Sequence, residues 1–111
     1  MKVYHKPSCI TCKRTITDIE RVNADIEKRD FFKDPFSEIE LKKIIKMTGN
    51  RPKELLRKRD KMYKELNLEN NKKTDAEIIK LMIKYPGLIL RPIIIVGNKA
   101  HVGRTDVKDL K

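Results

Sequence analysis

The chain opens Met1-Lys2-Val3-Tyr4-His5-Lys6-Pro7-Ser8-Cys9-Ile10-Thr11-Cys12, and the reading of these twelve residues decides the fold. Val3, with Tyr4 and His5 after it, suggests a short opening strand that Pro7-Ser8 breaks. Cys12, Ile16, Ile19 and Val22 then fall at i, i+4, i+7 and i+10, the spacing of one buried stripe on a helix, which puts Cys9 at or just before the first helical turn. Two cysteines placed at random in a chain of this length fall three apart about 2% of the time, so Cys9-Ile10-Thr11-Cys12 between a strand and a helix reads as a redox pair. Unpaired N–H groups and the dipole at a helix N-terminus stabilise a thiolate at Cys9, and Lys6, Lys13 and Arg14 push the same way. Cys12, one turn on, is placed to attack a disulfide or adduct formed at Cys9.

Two plainer readings stand beside this one. Cys12 can be a small apolar member of the stripe with Cys9 a bystander, since buried Cys is common. A zinc site needs four ligands, and only His5 and His101 remain, far apart and without a His-x₃₋₅-His spacing, so no metal is expected. His5 reads as a strand-end residue near the thiol and His101 as an exposed residue on an edge hairpin.

Outward from this start, residues 25–32 form a weaker strand candidate closed by Asp34-Pro35. Ser37 and Glu40 make a capping-box pattern ahead of Leu41, Ile44, Ile45 and Met47, and Gly49 stops that helix. Pro52 suits the first turn of a short helix carrying Leu55 and Leu56. A second capping box, Thr74 with Glu77, opens a helix through Ile78, Ile79, Leu81, Met82 and Ile83 that ends near Pro86-Gly87. Residues 37–84 therefore look like an all-helical insertion. The period then changes: Ile93-Ile94-Ile95-Val96 is a buried strand, Gly97-Asn98 a two-residue hairpin signal, and Lys99 to Gly103 the returning strand, before a short charged helix from Thr105. The order is β-α-β, helices, β-β-α, an α/β protein. With 111 residues, no repeat and no linker, a single domain over 1–111 is expected.

Composition narrows the function classes. The 27 Lys and Arg against 16 Asp and Glu give a net charge of +11, and residues 42–64 alone hold ten of the cations (from Lys42 to Lys64) against Glu54 and Asp60. Such a field attracts anions: nucleic acid, an acidic partner or a small oxyanion, or else it is a solvated helical face. Direct nucleic-acid binding is disfavoured, because no helix-turn-helix, zinc-finger or RNP pattern appears and only three Phe and three Tyr are available for stacking. The start lacks the apolar run of a secretory signal, and the most apolar stretch, Leu88 to Val96, is interrupted by Arg91-Pro92 and too short to span a bilayer. Two cysteines make no disulfide framework, so a reducing cytoplasm and a monomer with reactive thiols are expected.

Four blocks of the sequence, His5-Lys6-Pro7-Ser8-Cys9, Glu54-Leu55-Leu56-Arg57-Lys58, Pro86-Gly87-Leu88-Ile89-Leu90-Arg91-Pro92-Ile93-Ile94-Ile95 and Val102-Gly103-Arg104, resemble in order and spacing the ArsC/Spx family of thioredoxin-fold proteins, which includes glutaredoxin-linked arsenate reductases. The resemblance implies a thioredoxin/glutaredoxin-like sheet with a helical insertion. In that layout the proline before the third strand is cis and lies against the cysteine pair, which brings Arg91 to the rim of the site through Pro92. By the same resemblance Cys9 attacks arsenate, and Arg57, Arg91 and Arg104 match the arginines that hold the oxyanion. The physics agrees, since guanidinium forks bind tetrahedral anions bidentately and offset the repulsion between a thiolate and a dianion. No bound cofactor is implied; glutathione with glutaredoxin, or thioredoxin, would supply electrons. Two positions depart from the reductase pattern: Lys13 stands where it has arginine, and Cys12 where it has a small polar residue. Cys-x-x-Cys instead resembles the Spx branch, whose members bind the C-terminal domain of the RNA polymerase α subunit and use the pair as a redox switch. Arg104, in turn, sits where Spx-type chains typically lack an arginine.

Overall fold

The computed structural model describes residues 1–22 and 25–103. Two compact units make up the chain: one built from its two ends, Met1–Asp34 with the segment from Arg91 onward, and one from the intervening residues Pro35–Leu90.

The end-built unit follows the β-α-β…β-β order. Strand β1 (Lys2–His5) leads through the Pro7-Ser8 break into helix α1 (Ile10–Val22), then β2 (Glu27–Asp30); β3 (Ile93–Val96) and β4 (Lys99–Val102) form the closing hairpin. The four strands make one sheet in the order β2-β1-β3-β4. β1 runs parallel to β2, with Val3 opposite Lys28. It runs antiparallel to β3, with Val3 opposite Ile94. The β3–β4 pairing is antiparallel and turns at Gly97-Asn98, where Gly97 takes φ +62°, a left-handed value that costs a residue without Cβ nothing. Because β1 and β3 are central, Val3, Tyr4, Ile93 and Ile94 are all buried, whereas the edge strand β2 carries exposed Glu27 and Lys28. Charges on an edge discourage pairing with another chain. Val3 and Ile94 from the sheet pack with Ile16 and Ile19 from α1 as the core of this unit, with Met1, Ile26 and Val96 around it.

The expected stripe on α1 differs at one end. Cys12, Ile16 and Ile19 are buried as expected, but Thr15 joins them and Val22 is 69% exposed. At about 100° per residue, Val22 lies some 80° from Cys12 around the helix and Thr15 nearer, at about 60°, and Val22 also falls in the last turn, where the helix ends.

In the inserted unit, helix α2 (Glu38–Thr48) begins at Ser37, whose side chain accepts the Glu40 N–H at 3.2 Å, and ends at Gly49 with φ +74°. A 3₁₀ turn, Pro52–Leu55, starts on its proline, and helix α4 (Asp75–Lys84) starts on a complete reciprocal capping box between Thr74 and Glu77. A short helix, α3 (Lys61–Glu65), lies between them; the sequence reading passes over it, although Asp60 caps it by accepting the Met62 N–H at 3.0 Å. A second 3₁₀ turn, Pro86–Leu88, follows α4. An isolated bridge joins Leu56 to Ile89, flanked by the Arg57 N–H bond to the Leu88 carbonyl at 2.7 Å. Leu41, Ile44 and Ile45 of α2, Tyr63 of α3 and Ile78, Ile79 and Met82 of α4 are among this unit's buried residues. The unit is wider than the expected 37–84, since Pro35 and Phe36 before it and residues 85–90, with their 3₁₀ turn, belong to it. The helix expected from Thr105 lies outside the described residues.

Candidate functional site

The two cysteines sit where β1 hands over to α1. The Cys9 N–H donates to the Lys6 carbonyl at 3.0 Å, closing the loop, and the Cys9 carbonyl accepts the Lys13 N–H at 3.0 Å as the first bond of the helix. Cys9 therefore stands directly before the helical N-terminus, half-buried, while Cys12 one turn on is fully buried; both are free thiols.

Their environments push the two thiols apart. Burial by itself raises Cys9, but hydrogen bonds from the Cys12 N–H, the Cys12 thiol and the Arg91 guanidinium, together with that guanidinium's charge, outweigh it and hold Cys9 below its ordinary value. Cys12 is pushed up to about 12: burial is the largest influence, the hydrogen bond to Cys9 and the charge on Cys9 add to it, and the Lys6 N–H and Arg91 oppose it. At neutral pH the pair consists of one thiolate-prone sulfur near the surface and one protonated sulfur beneath it that donates a hydrogen bond to the first.

Arg91 stands beside this pair, and the peptide bond that joins it to Pro92 is cis. Pro92 is fully buried, and its carbonyl accepts the Gly103 N–H at 2.8 Å, tying the entry to β3 to the end of β4. Arg91 is only 8% exposed, and its guanidinium lies 5.3 Å from the centre of the Phe32 ring. The Lys6 ammonium lies 4.7 Å from the same ring. His5, opposite Asp30 in the sheet, is half-buried; burial chiefly lowers its pKa, Lys28 assists and Asp30 opposes.

Of the residues singled out from the sequence, the structure thus brings together Cys9, Cys12 and Arg91, with Pro92 next to Arg91 in the chain and His5 and Lys6 on the adjoining strand end and loop. Lys13 and Arg14 are exposed on α1, and the side-chain cation that bears on Cys9 is that of Arg91. Arg57 belongs to the inserted unit, where it is half-buried and lies 3.9 Å from the Asp60 carboxylate. Arg104 lies outside the described residues. His101, read as exposed, is half-buried on β4. The sequence reading missed Phe32; the only signal was an aromatic pair directly after the β2 strand. Among the described residues no three His, Cys, Asp or Glu side chains converge as metal ligands. None of the described helices is long and apolar enough to cross a membrane.

A four-stranded mixed sheet with a Cys-x-x-Cys at the N-terminus of its first helix and a cis-proline at the head of the third strand defines a thioredoxin-fold protein with a helical insertion. The ArsC family profile matches residues 4–108, and the chain belongs to that family. It is 33% identical over 103 residues to an arsenate reductase of Haemophilus influenzae, covering 92% of this chain and 89% of that protein. It is 31% identical over 101 residues to the global transcriptional regulator Spx 1 of Bacillus cereus, covering 91% of this chain and 77% of that one. The solved structure of an arsenate reductase from Vibrio cholerae superposes with a TM-score of 0.85 at 30% identity, covering 94% of this chain and 91% of the other.

Proposed function

We propose that this chain is a thiol-dependent reductase in which the Cys9 thiolate attacks arsenate, or a related oxyanion or disulfide. The observation that carries the reading is the buried guanidinium of Arg91 hydrogen-bonded to a helix-terminal thiol whose pKa is lowered. A thiolate and a tetrahedral dianion repel, and a guanidinium held against the sulfur offsets that repulsion while offering its other N–H groups to the incoming oxygens. Arg57 and Arg104 enter this reading as further anion-binding residues through the sequence resemblance alone.

In the first step the Cys9 sulfur forms a bond to arsenic(V) and one oxygen leaves as water. In the second a thiolate, from Cys12 or an external thiol, attacks the Cys9 sulfur. The S–As bond breaks, its electron pair stays on arsenic to give arsenite, and a disulfide forms. Two further thiols, from glutathione with glutaredoxin or from thioredoxin, reduce that disulfide. Cys12 suits the second step through its coupling to Cys9. Once Cys9 is consumed, the hydrogen bond and the charge that help to raise Cys12 are gone and burial remains.

The test is coupled turnover: arsenate-dependent NADPH oxidation with the glutathione/glutaredoxin or thioredoxin system, on wild type and Cys9→Ser. The expected result is turnover in wild type and none in the variant; turnover that survives Cys9→Ser sinks the proposal.

A second reading is supported by the hydrogen bond between the two thiols, since an internal disulfide needs the sulfurs side by side. It makes the chain an Spx-like redox switch that docks on the C-terminal domain of the RNA polymerase α subunit. Capture of that domain by the wild type in one redox state and not the other, lost in Cys9→Ser, would support it; equal capture in both states would refute it.

A further inference from the structure

The turn after β2 places an aromatic ring beside the thiol site, and the sequence dictates how. The Asp30 carboxylate accepts the Phe32 N–H at 3.0 Å and the Lys33 N–H at 3.3 Å, and the Asp30 carbonyl accepts the Asp34 N–H at 2.9 Å, so residues 30–34 form a closed turn. Phe31 is fully buried and anchors the turn; its ring centre lies 5.0 Å from that of Phe32, tilted by 49°. Phe32, half-buried, is left to meet two cations at once: the Lys6 ammonium at 4.7 Å and the Arg91 guanidinium at 5.3 Å from its centroid.

Neither cation is incidental to the cysteines. The Lys6 carbonyl accepts the Cys9 N–H, the Lys6 N–H donates to the Cys12 sulfur, and Arg91 donates to the Cys9 sulfur. Two positive side chains drawn toward one ring repel each other, and Lys6, which is half-buried, has solvent as its alternative. The negative π-face of the ring offsets that repulsion, and because Arg91 is buried the attraction acts in a poorly screened environment.

We propose that Phe32 is a positioning residue whose ring face holds Lys6 and Arg91 together at the rim of Cys9, making a two-cation subsite for an anionic substrate group. The proposal rests on the reading of Cys9 as a nucleophile toward oxyanions and adds Lys6 and Phe32 to the binding of that anion.

The test uses two alkylating probes that differ in charge. Iodoacetate carries a carboxylate and iodoacetamide is neutral, so the ratio of their rates at Cys9 cancels the thiolate fraction and reports the local attraction for anions. In the full chain at low salt, Phe32→Leu is expected to lower this ratio about threefold, and Phe32→Tyr to leave it at the wild-type value. Pentafluorophenylalanine placed at position 32 alone keeps the ring's shape and reverses its quadrupole; it is expected to lower the ratio as Phe32→Leu does, which separates the electrostatic role from packing. In an Arg91→Ala, Lys6→Ala background Phe32→Leu is expected to change nothing further. A wild-type ratio with the fluorinated ring, or an undiminished effect of Phe32→Leu in that background, overturns the proposal. Because the readout needs no turnover, a wild type inactive on arsenate with a ring-dependent ratio would overturn arsenate as the substrate and leave the role of Phe32 standing.

Discussion

The two cysteines are three residues apart, yet the structure predicts that they react on different timescales. A thiol at about 12 rather than 9.0 carries roughly a thousandth of the thiolate at pH 8, and Cys12 is also fully buried, so a reagent must wait for the helix start to open. Cys9 is shifted the other way and is reachable. Limiting iodoacetamide at pH 8, with intact mass and peptide mapping to assign the site, is expected to give a single adduct on Cys9, with Cys12 slower by a factor on the order of a thousand. Cys9→Ser refines the test. It removes the charge and the sulfur hydrogen bond that raise Cys12, but not burial, the largest influence, so Cys12 is expected to speed up and still lag an exposed thiol. The pH dependence has a definite sign: Cys9 alkylation rises with pH and levels off below the range of an ordinary thiol, while Cys12 alkylation keeps rising through pH 10. Comparable rates for the two cysteines in wild type, or a Cys12 that becomes as fast as a free thiol in Cys9→Ser, would refute this account of how the pair is polarised.

Two further outcomes concern the inserted unit. Thr74→Ala removes the hydroxyl that accepts the Glu77 N–H and is expected to cost about 1 kcal/mol in denaturant unfolding. The Thr74 N–H first, and its hydroxyl second, hold the Glu77 carboxyl below its ordinary value, so its contribution is present above the unfolded pKa and is lost as pH falls through the folded one; Thr74→Ala removes the hydroxyl's share alone and should make that acid limb shallower without abolishing it. A Cβ at Gly87 would lie 2.5 Å from an Asp60 carboxylate oxygen, so Gly87→Ala must displace the side chain that caps α3 and faces Arg57. Thermal unfolding should show a loss of about 1 kcal/mol that vanishes in an Asp60→Ala background; an equal loss in both backgrounds would place the cause elsewhere.

Much of the fold was legible because its punctuation is chemical. Ser37 with Glu40, Thr74 with Glu77, and Pro52 each occupy the backbone position their side chains favour, Gly49 and Gly97 the positive φ that lack of a Cβ permits, and the elements begin or end there. The cysteine pair was legible from its three-residue spacing, whereas the cis isomer at Pro92 was legible only through the family resemblance, since Arg-Pro before an Ile run does not by itself select it. Periodicity misled at Val22, where the last turn of a helix meets no partner, and it carried no information on α3, too short to show a period at all. Phe32 was invisible because its role is made by Lys6 and Arg91, which come from opposite ends of the chain and meet only in three dimensions.

That same separation has a consequence for synthesis. A ribosome releases Cys9 early and Arg91 late, with the whole inserted unit between them. Until β3 emerges and takes its place against β1, Cys9 lacks the Arg91 guanidinium and has only the hydrogen bonds from Cys12. The last share of the thiol's activation therefore arrives with the last strands to be made.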